Sequence, residues 1–260
     1  MTRRLAWAAA AAAATICTPL VACGPAHRSH ILPPATANAS PPGVYVAIGD
    51  SQTRGQGADN PLRQAWPHVV FRSLPSNYTL INLATPGATV ASASNEQLPE
   101  AQALHPTLVT VWLNAGDLLS GLSAAQYQLQ LTALLHGLRA TGAKVFVANA
   151  PPLDLLPAYT ACTDPTSGAG SCPPFLPRPL PDRASLHTAV DSYNAATAAV
   201  AAAQGCVLVD LHATTQAEVA QGRQAALISG DGFDPNAAGY QVIADQFIAG
   251  LHSAGVVSNA

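Results

Sequence analysis

Charge is scarce in this chain. Lys and Arg number 11 and Asp and Glu 14, so charged residues make up only 10% of 260 positions, and the basic ones form no cluster. Gripping a phosphate backbone takes grouped Lys and Arg, so nucleic-acid binding has no electrostatic support. Metal-ligand spacing is missing too: no histidine sits at zinc-ligand spacing from Cys162, Cys172 or Cys206, and no cofactor is expected. No internal repeat is visible. The Ala-rich apolar run from Leu5 to Ile16 is short for a membrane span.

That run has a different reading. Arg3 and Arg4 precede it and Leu20-Val21-Ala22 follows it, the pattern of a secretory signal over residues 1–22. Cys23 comes directly after, with Gly24 next, which resembles the lipobox of bacterial lipoproteins. The resemblance implies cleavage before Cys23, a lipidated N-terminus and a lipid anchor on the extracytoplasmic face of the cell membrane. A plain cleaved signal with an incidental cysteine, or an uncleaved anchor, are the alternatives. Residues 23–42, with Pro25, Pro33, Pro34, Pro41 and Pro42 among Ala, Ser and Asn, bury too little to fold and read as an extended tether. Losing Arg3 and Arg4 takes the net charge from −3 to −5 (−3 − 2).

Residues 43–256 suit one α/β domain. Strands are expected at Val44–Ile48, Tyr78–Leu83, Thr107–Leu113, Lys144–Ala148 and Cys206–Leu211. Helical patterns at Leu62–Leu74, Ala91–Leu104, Ala124–Ala140 and Arg183–Ala203 alternate with them, and a last helix covers Ala237–Leu251. Short apolar strands separated by helices argue for a parallel sheet covered on both faces. Pro151 to Pro181 is a long irregular insertion expected to rim the crevice. Cys162 and Cys172 within it flank a Gly/Ser/Pro-rich stretch, and in an exported chain they are expected to form a disulfide. Cys206 reads as a buried core thiol.

Gly49-Asp50-Ser51-Gln52-Thr53 ends the first apolar run and enters a Gly-containing loop. The C-terminal end of a first strand is where α/β folds place reactive groups, and backbone N–H groups there can receive an oxyanion. An ordinary polar turn would look the same. Three further segments decide the matter. Asn82-Leu83-Ala84-Thr85-Pro86-Gly87, Val109 to Leu118 and Asp231-Gly232-Phe233-Asp234 follow in order, and with the first segment they resemble the blocks of the SGNH/GDSL hydrolases. The resemblance implies a flavodoxin-like three-layer α/β/α sandwich with a five-stranded parallel sheet. It puts Ser51 in the nucleophile position, with Gln52 where Leu is usual, and Gly87 in the oxyanion-hole position.

Two departures fall on catalytic places. The family's third block reads Gly-x-Asn-Asp, with the Asn as an oxyanion donor. Here it reads Asn114-Ala115-Gly116-Asp117, which leaves Asn114, two residues earlier on the same strand face, as the candidate donor. The family's last block reads Asp-x-x-His; here Asp231 is followed by Asp234 in the base position. Imidazole titrates near 6.5 and a carboxyl near 3.9, a deficit of about 2.6 units or roughly 3.5 kcal/mol in proton affinity. Two neighbouring acids can raise each other's pKa and lessen it. His212, just after the fifth strand, is the best substitute base, against the reading of an exposed loop histidine.

The resemblance implies a serine ester hydrolase acting on small-molecule or envelope esters. Ser51 would attack, Gly87 and Asn114 would hold the oxyanion, and Asp231 and Asp234 would stand in for the acid–base pair. The alternative is an impaired pseudoenzyme that binds an acylated or glycan ligand.

Overall fold

The computed structural model of the chain describes residues 42–164 and 166–257. The signal segment, Cys23 and all but the last residue of the tether lie outside the described residues.

The domain opens with β1 (Gly43–Gly49), followed by α1 (Ser51–Arg54), α2 (Pro61–Gln64), α3 (Trp66–Ser73) and β2 (Tyr78–Asn82). Next come α4 (Val90–Asn95), α5 (Gln97–Ala103), β3 (Leu108–Trp112), α6 (Ala115–Leu119), α7 (Ala124–Arg139) and β4 (Lys144–Ala148). The second half contributes α8 (Pro157–Thr163), α9 (Arg183–Gln204), β5 (Val207–Val209), α10 (Leu211–Ala220), α11 (Gln224–Leu227) and α12 (Ala237–Ser253).

All five strands are parallel, in the order β2-β1-β3-β4-β5. Alternate residues leave the sheet on opposite faces. Val46, Ile48, Val109, Val111, Val145 and Val147 meet Leu131, Leu134 and Leu138 of α7 and Val190 and Tyr193 of α9. Tyr45, Ala47, Phe146 and Ala148 meet Trp66 and Val70 of α3 and Tyr240, Phe247 and Leu251 of α12. A ring stack seals each layer, Tyr127 on Tyr193 and Trp66 on Phe247, both at 4.2 Å. Burial on both faces explains why β1, β3 and β4 read as apolar runs, while β2 and β5 at the sheet's edges are less enclosed. The three-layer sandwich expected from the sequence is what forms. From β1 the chain goes one way to β2 and then the other way to β3 and beyond, which opens a crevice at the strands' C-terminal ends.

Local chemistry explains where the elements differ from the expected ones. The helix expected over Leu62–Leu74 breaks at Ala65, because Pro67 lacks an N–H and belongs in the first turn of α3. The one expected over Ala91–Leu104 breaks at Glu96, where Pro99 again occupies a first turn. The fifth strand stops at Val209 because the Asp210 carboxylate caps α10, accepting from Ala213 N at 2.9 Å. Helix α10 escaped the sequence reading, having Leu211 as its one buried residue. The insertion is partly helical, with a 3₁₀ turn at Leu153–Leu155 followed by α8. Cys162 and Cys172 form a disulfide, as expected.

Candidate active site

The end of β1 is fixed by a side chain. β2 stops at Asn82, paired with Ala47, so Gly49 has no strand neighbour on that side. Gln97, 3% exposed, takes the vacant place: Oε1 accepts from Gly49 N at 3.0 Å and Nε2 donates to Gly49 O at 2.9 Å. Thr85 N donates to the same carbonyl at 3.2 Å, tying the loop after β2 to the loop after β1. Position 49 must be glycine, because a Cβ there would lie 2.0 Å from Thr53 Oγ1.

Asp50 then caps α1, its Oδ1 accepting from Gln52 N at 3.2 Å. Burial pushes its carboxyl up to about 7, against the pull of that N–H. Ser51 is the first residue of α1 and half-buried. Neither its hydroxyl nor its N–H is hydrogen-bonded among the described residues, which leaves both open to a ligand. Gly87 lies in the loop after β2 at φ +77°, a backbone conformation that side chains disfavour. It is exposed and its N–H is equally uncommitted. Asn82 joins the two loops, donating from Nδ2 to Thr53 O at 2.9 Å and accepting from Ala84 N at 3.1 Å.

The loop after β3 differs from the expected oxyanion arrangement. Asn114 is buried, and its Nδ2 donates to Ala148 O at 3.3 Å, at the end of β4. β3 stands between β4 and β1, so this amide is directed away from the Ser51 side. Gly116 has no side chain to donate, and a Cβ there would sit 3.2 Å from Ala88 O, so that loop would have to give by a few tenths of an ångström. Asp117 is structural, its carboxylate accepting from Val90 N at 3.0 and 3.2 Å to cap α4. Burial pushes it up to about 6, opposed by that bond.

Asp231 and Asp234 lie in a tight loop before α12. Asp231 Oδ1 accepts from Ser229 Oγ, Phe233 N and Asp234 N, each at 2.8 Å. Burial raises its carboxyl, but these donors outweigh burial and hold it below the ordinary carboxylate range. Asp234 is 1% exposed and its Oδ1 has no hydrogen-bond partner. Burial, then the neighbouring Asp231 and Asp50 charges, push it up to about 8, with the Gln52 side chain beside it pulling the other way. Two of the residues that depart from pattern, Gln52 and Asp234, are therefore neighbours. Neither departure alone announces the pairing in the sequence.

His212 is committed elsewhere. Its Nδ1 lies 3.1 Å from Ala150 O and 3.1 Å from Asn194 Nδ2, and its Nε2 lies 3.0 Å from Gln216 Nε2. With the proton on Nδ1 the ring donates to Ala150 O and accepts from Gln216 at Nε2, while Asn194 Nδ2 donates to Ala150 O at 3.0 Å instead of to the ring, so the ring anchors α10 and no partner comes from the Ser51 loop. Cys206 is half-buried and burial pushes its thiol up to about 11. The insertion does rim the acid loop: Ala158 N donates to Gly232 O at 3.0 Å, and Phe175 meets Phe233 edge-on at 5.3 Å. Among the described residues no group of three or more His, Cys, Asp or Glu could hold a metal, and no helix is long and apolar enough to cross a membrane.

A doubly wound parallel sheet with a serine at the end of β1, a glycine loop after β2 and an acid loop before the last helix has the framework of an α/β serine hydrolase. The profile of the GDSL-like lipase/acylhydrolase family matches residues 47–242, and the chain belongs to that family. No curated protein matches it by sequence. Among solved structures it resembles TesA, with 22% identity and TM-score 0.59 over 81% of this chain and 98% of that one. A putative GDSL-like lipase from Parabacteroides merdae is similar at 16% identity and TM-score 0.63, over 84% and 98%. So is a catalytic mutant of Axe2, an acetylxylan esterase from Geobacillus stearothermophilus, at 16% identity and TM-score 0.62, over 82% and 95%. At these identities the likeness is one of fold.

Proposed function

We propose that the protein hydrolyses acyl esters with Ser51 as nucleophile and Asp234 as base, slowly at neutral pH and faster in mild alkali. The observation that carries this reading is the place of Asp234: enclosed, with an unpartnered Oδ1, and beside Gln52, the residue after Ser51; burial pushes its carboxyl up to about 8. An ordinary carboxylate is too weak a base to replace imidazole, but one with a pKa near 8 is at least as basic as a histidine. Its drawback is occupancy, since roughly one molecule in ten carries the ionised form at pH 7. Ionised Asp234 takes the Ser51 proton as Oγ bonds to the acyl carbonyl carbon, and the carbonyl oxygen becomes an oxyanion held by the Ser51 and Gly87 N–H groups. The same proton passes to the departing alkoxide, and water releases the acid by the reverse sequence. Asp231 positions the loop by gathering its own N–H groups.

A binding-only protein, taking an acylated or glycan ligand, is the second reading. The Asn114 amide committed to Ala148 O favours it, because only two backbone donors are then left for the oxyanion.

Hydrolysis of p-nitrophenyl acetate and butyrate from pH 6 to 10 separates the two. Activity that rises toward a plateau above about pH 8 and disappears in Ser51→Ala and Asp234→Asn supports the hydrolase. Rates equal to the buffer's in all three proteins leave the binding protein.

We further propose that the protein is exported and anchored through lipidated Cys23. The Cys162–Cys172 disulfide supports an oxidising compartment. Cys23→Ala should move the protein from the membrane fraction to the soluble one.

A further inference from the structure

A cavity of 70 Å³ lies on the α12 side of the acid loop. Its walls include Trp112 at the end of β3, Leu153 after β4, Leu211 of α10, Phe233, and Val242 and Ile243 of α12. Its polar lining is confined to Gln52, Thr214, Thr215, Glu218 and Gln224. Three of these are committed elsewhere. Glu218 is held by Arg223 through two bonds of 2.6 Å, Gln224 Nε2 donates to Leu155 O at 2.9 Å, and Thr214 Oγ1 donates to Asp210 O at 2.8 Å. Buried water needs two to four polar partners, so this lining favours an apolar occupant.

The placement of Gln52 says which one. It follows Ser51 in α1, neighbours Asp234 and also lines the cavity, so the cavity begins one residue from the nucleophile. Phe233 and Pro235, on either side of Asp234, line it as well. Most of the remaining wall comes from α10, α11 and α12.

We propose that this cavity, entered past Gln52, receives the unbranched aliphatic chain of the acyl group. The inference rests on the ester reading of Ser51 for the identity of the chain. At roughly 10–15 Å³ per water, 70 Å³ holds about five waters, which corresponds to a chain of about four to six carbons.

The test is binding of neutral 1-alkanols, from ethanol to 1-decanol, to the full chain and to Ser51→Ala, followed by calorimetry and by NMR contacts to the Leu211 and Ile243 methyls. Affinity should tighten about fourfold per added methylene up to about six carbons and then level off. Val242→Trp and Thr214→Phe, which fill the space from two different helices, should weaken 1-hexanol binding at least tenfold. Affinity independent of chain length, unchanged affinity in both folded variants, or NMR contacts confined to other residues would overturn the proposal. Should either variant fail to fold, the contacts in the unaltered protein decide. Binding does not need turnover, so the two readings fail separately: alkanols bound by a chain that hydrolyses nothing remove only the hydrolase, and hydrolysis without binding here removes only the cavity.

Discussion

Gln97 completes the β1 strand at Gly49, accepting from its N–H at 3.0 Å and donating to its carbonyl at 2.9 Å. A side-chain amide here does the work of a neighbouring peptide group, one residue before the capping Asp50. Gln97→Leu leaves the Gly49 N–H buried and without a partner, while Thr85 still serves the carbonyl. The expected loss is about 1–3 kcal/mol in urea unfolding, with a lower kcat and little change in KM where hydrolysis is measured. Unfolding at the wild-type midpoint would contradict it.

Gly49→Ala should be severely destabilising through its collision with Thr53 Oγ1, 2.0 Å from the added methyl. Thr53→Ala removes the oxygen but leaves its Cβ 2.5 Å from the added methyl, whereas Thr53→Gly clears the whole side chain. Gly49→Ala combined with Thr53→Gly should therefore recover part of the loss that Gly49→Ala with Thr53→Ala does not, a coupling of at least about 1 kcal/mol in a double-mutant cycle. Additive losses would mean that the backbone, not Thr53, sets the constraint.

Asp234 gives stability a distinct pH dependence. The unfolded chain releases this proton near pH 4, whereas the folded chain keeps it to about pH 8. Between those limits the folded state binds more protons, so stability falls as pH rises, and the full penalty is present above pH 8. Asp234→Asn has nothing to ionise. It should gain on the wild type from pH 4 to pH 8, by at most about 1.4 kcal/mol per pH unit, and hold a constant advantage beyond. Thermal melts at pH 5, 7 and 9 check this; a difference that does not change with pH would show that Asp234 is already ionised at neutrality.

Restoring the family's residues should have unequal effects. Asp234→His introduces a base that is unprotonated at pH 7, and ester hydrolysis there should rise tenfold or more. Gly116→Asn should add nothing on its own, because its Cβ would lie 3.2 Å from Ala88 O. A large gain from Gly116→Asn would show that the Ala88 loop yields.

How much of this was legible from the residues depended on the range of the interaction. β1, β3 and β4 are legible because burial on both faces writes an unbroken apolar run; Ser51 closes the first of these at the crevice, whereas Gly87 is marked only by the family resemblance. Gln97 carried no signal, since a glutamine in a helical pattern looks like surface; only the break that Pro99 imposes points it at a strand 48 residues earlier. Asn114 reads as part of the third strand, but β3 ends at Trp112 and Asn114 precedes α6, where its amide donates to a carbonyl on β4, a choice made by tertiary neighbours. His212 likewise showed its position and not its three partners. The raised Asp234 follows from enclosure by residues from both ends of the domain, which no local pattern encodes.

The contacts Ala158 N to Gly232 O and Phe175 to Phe233 give the disulfide a second consequence. The loop that carries both acids leans on a segment whose own ends are joined at Cys162 and Cys172. Production history therefore enters the chemistry: a batch made in a reducing cytosol, or handled with thiol reagents, presents Asp231 and Asp234 on a slacker support than one matured outside the cell.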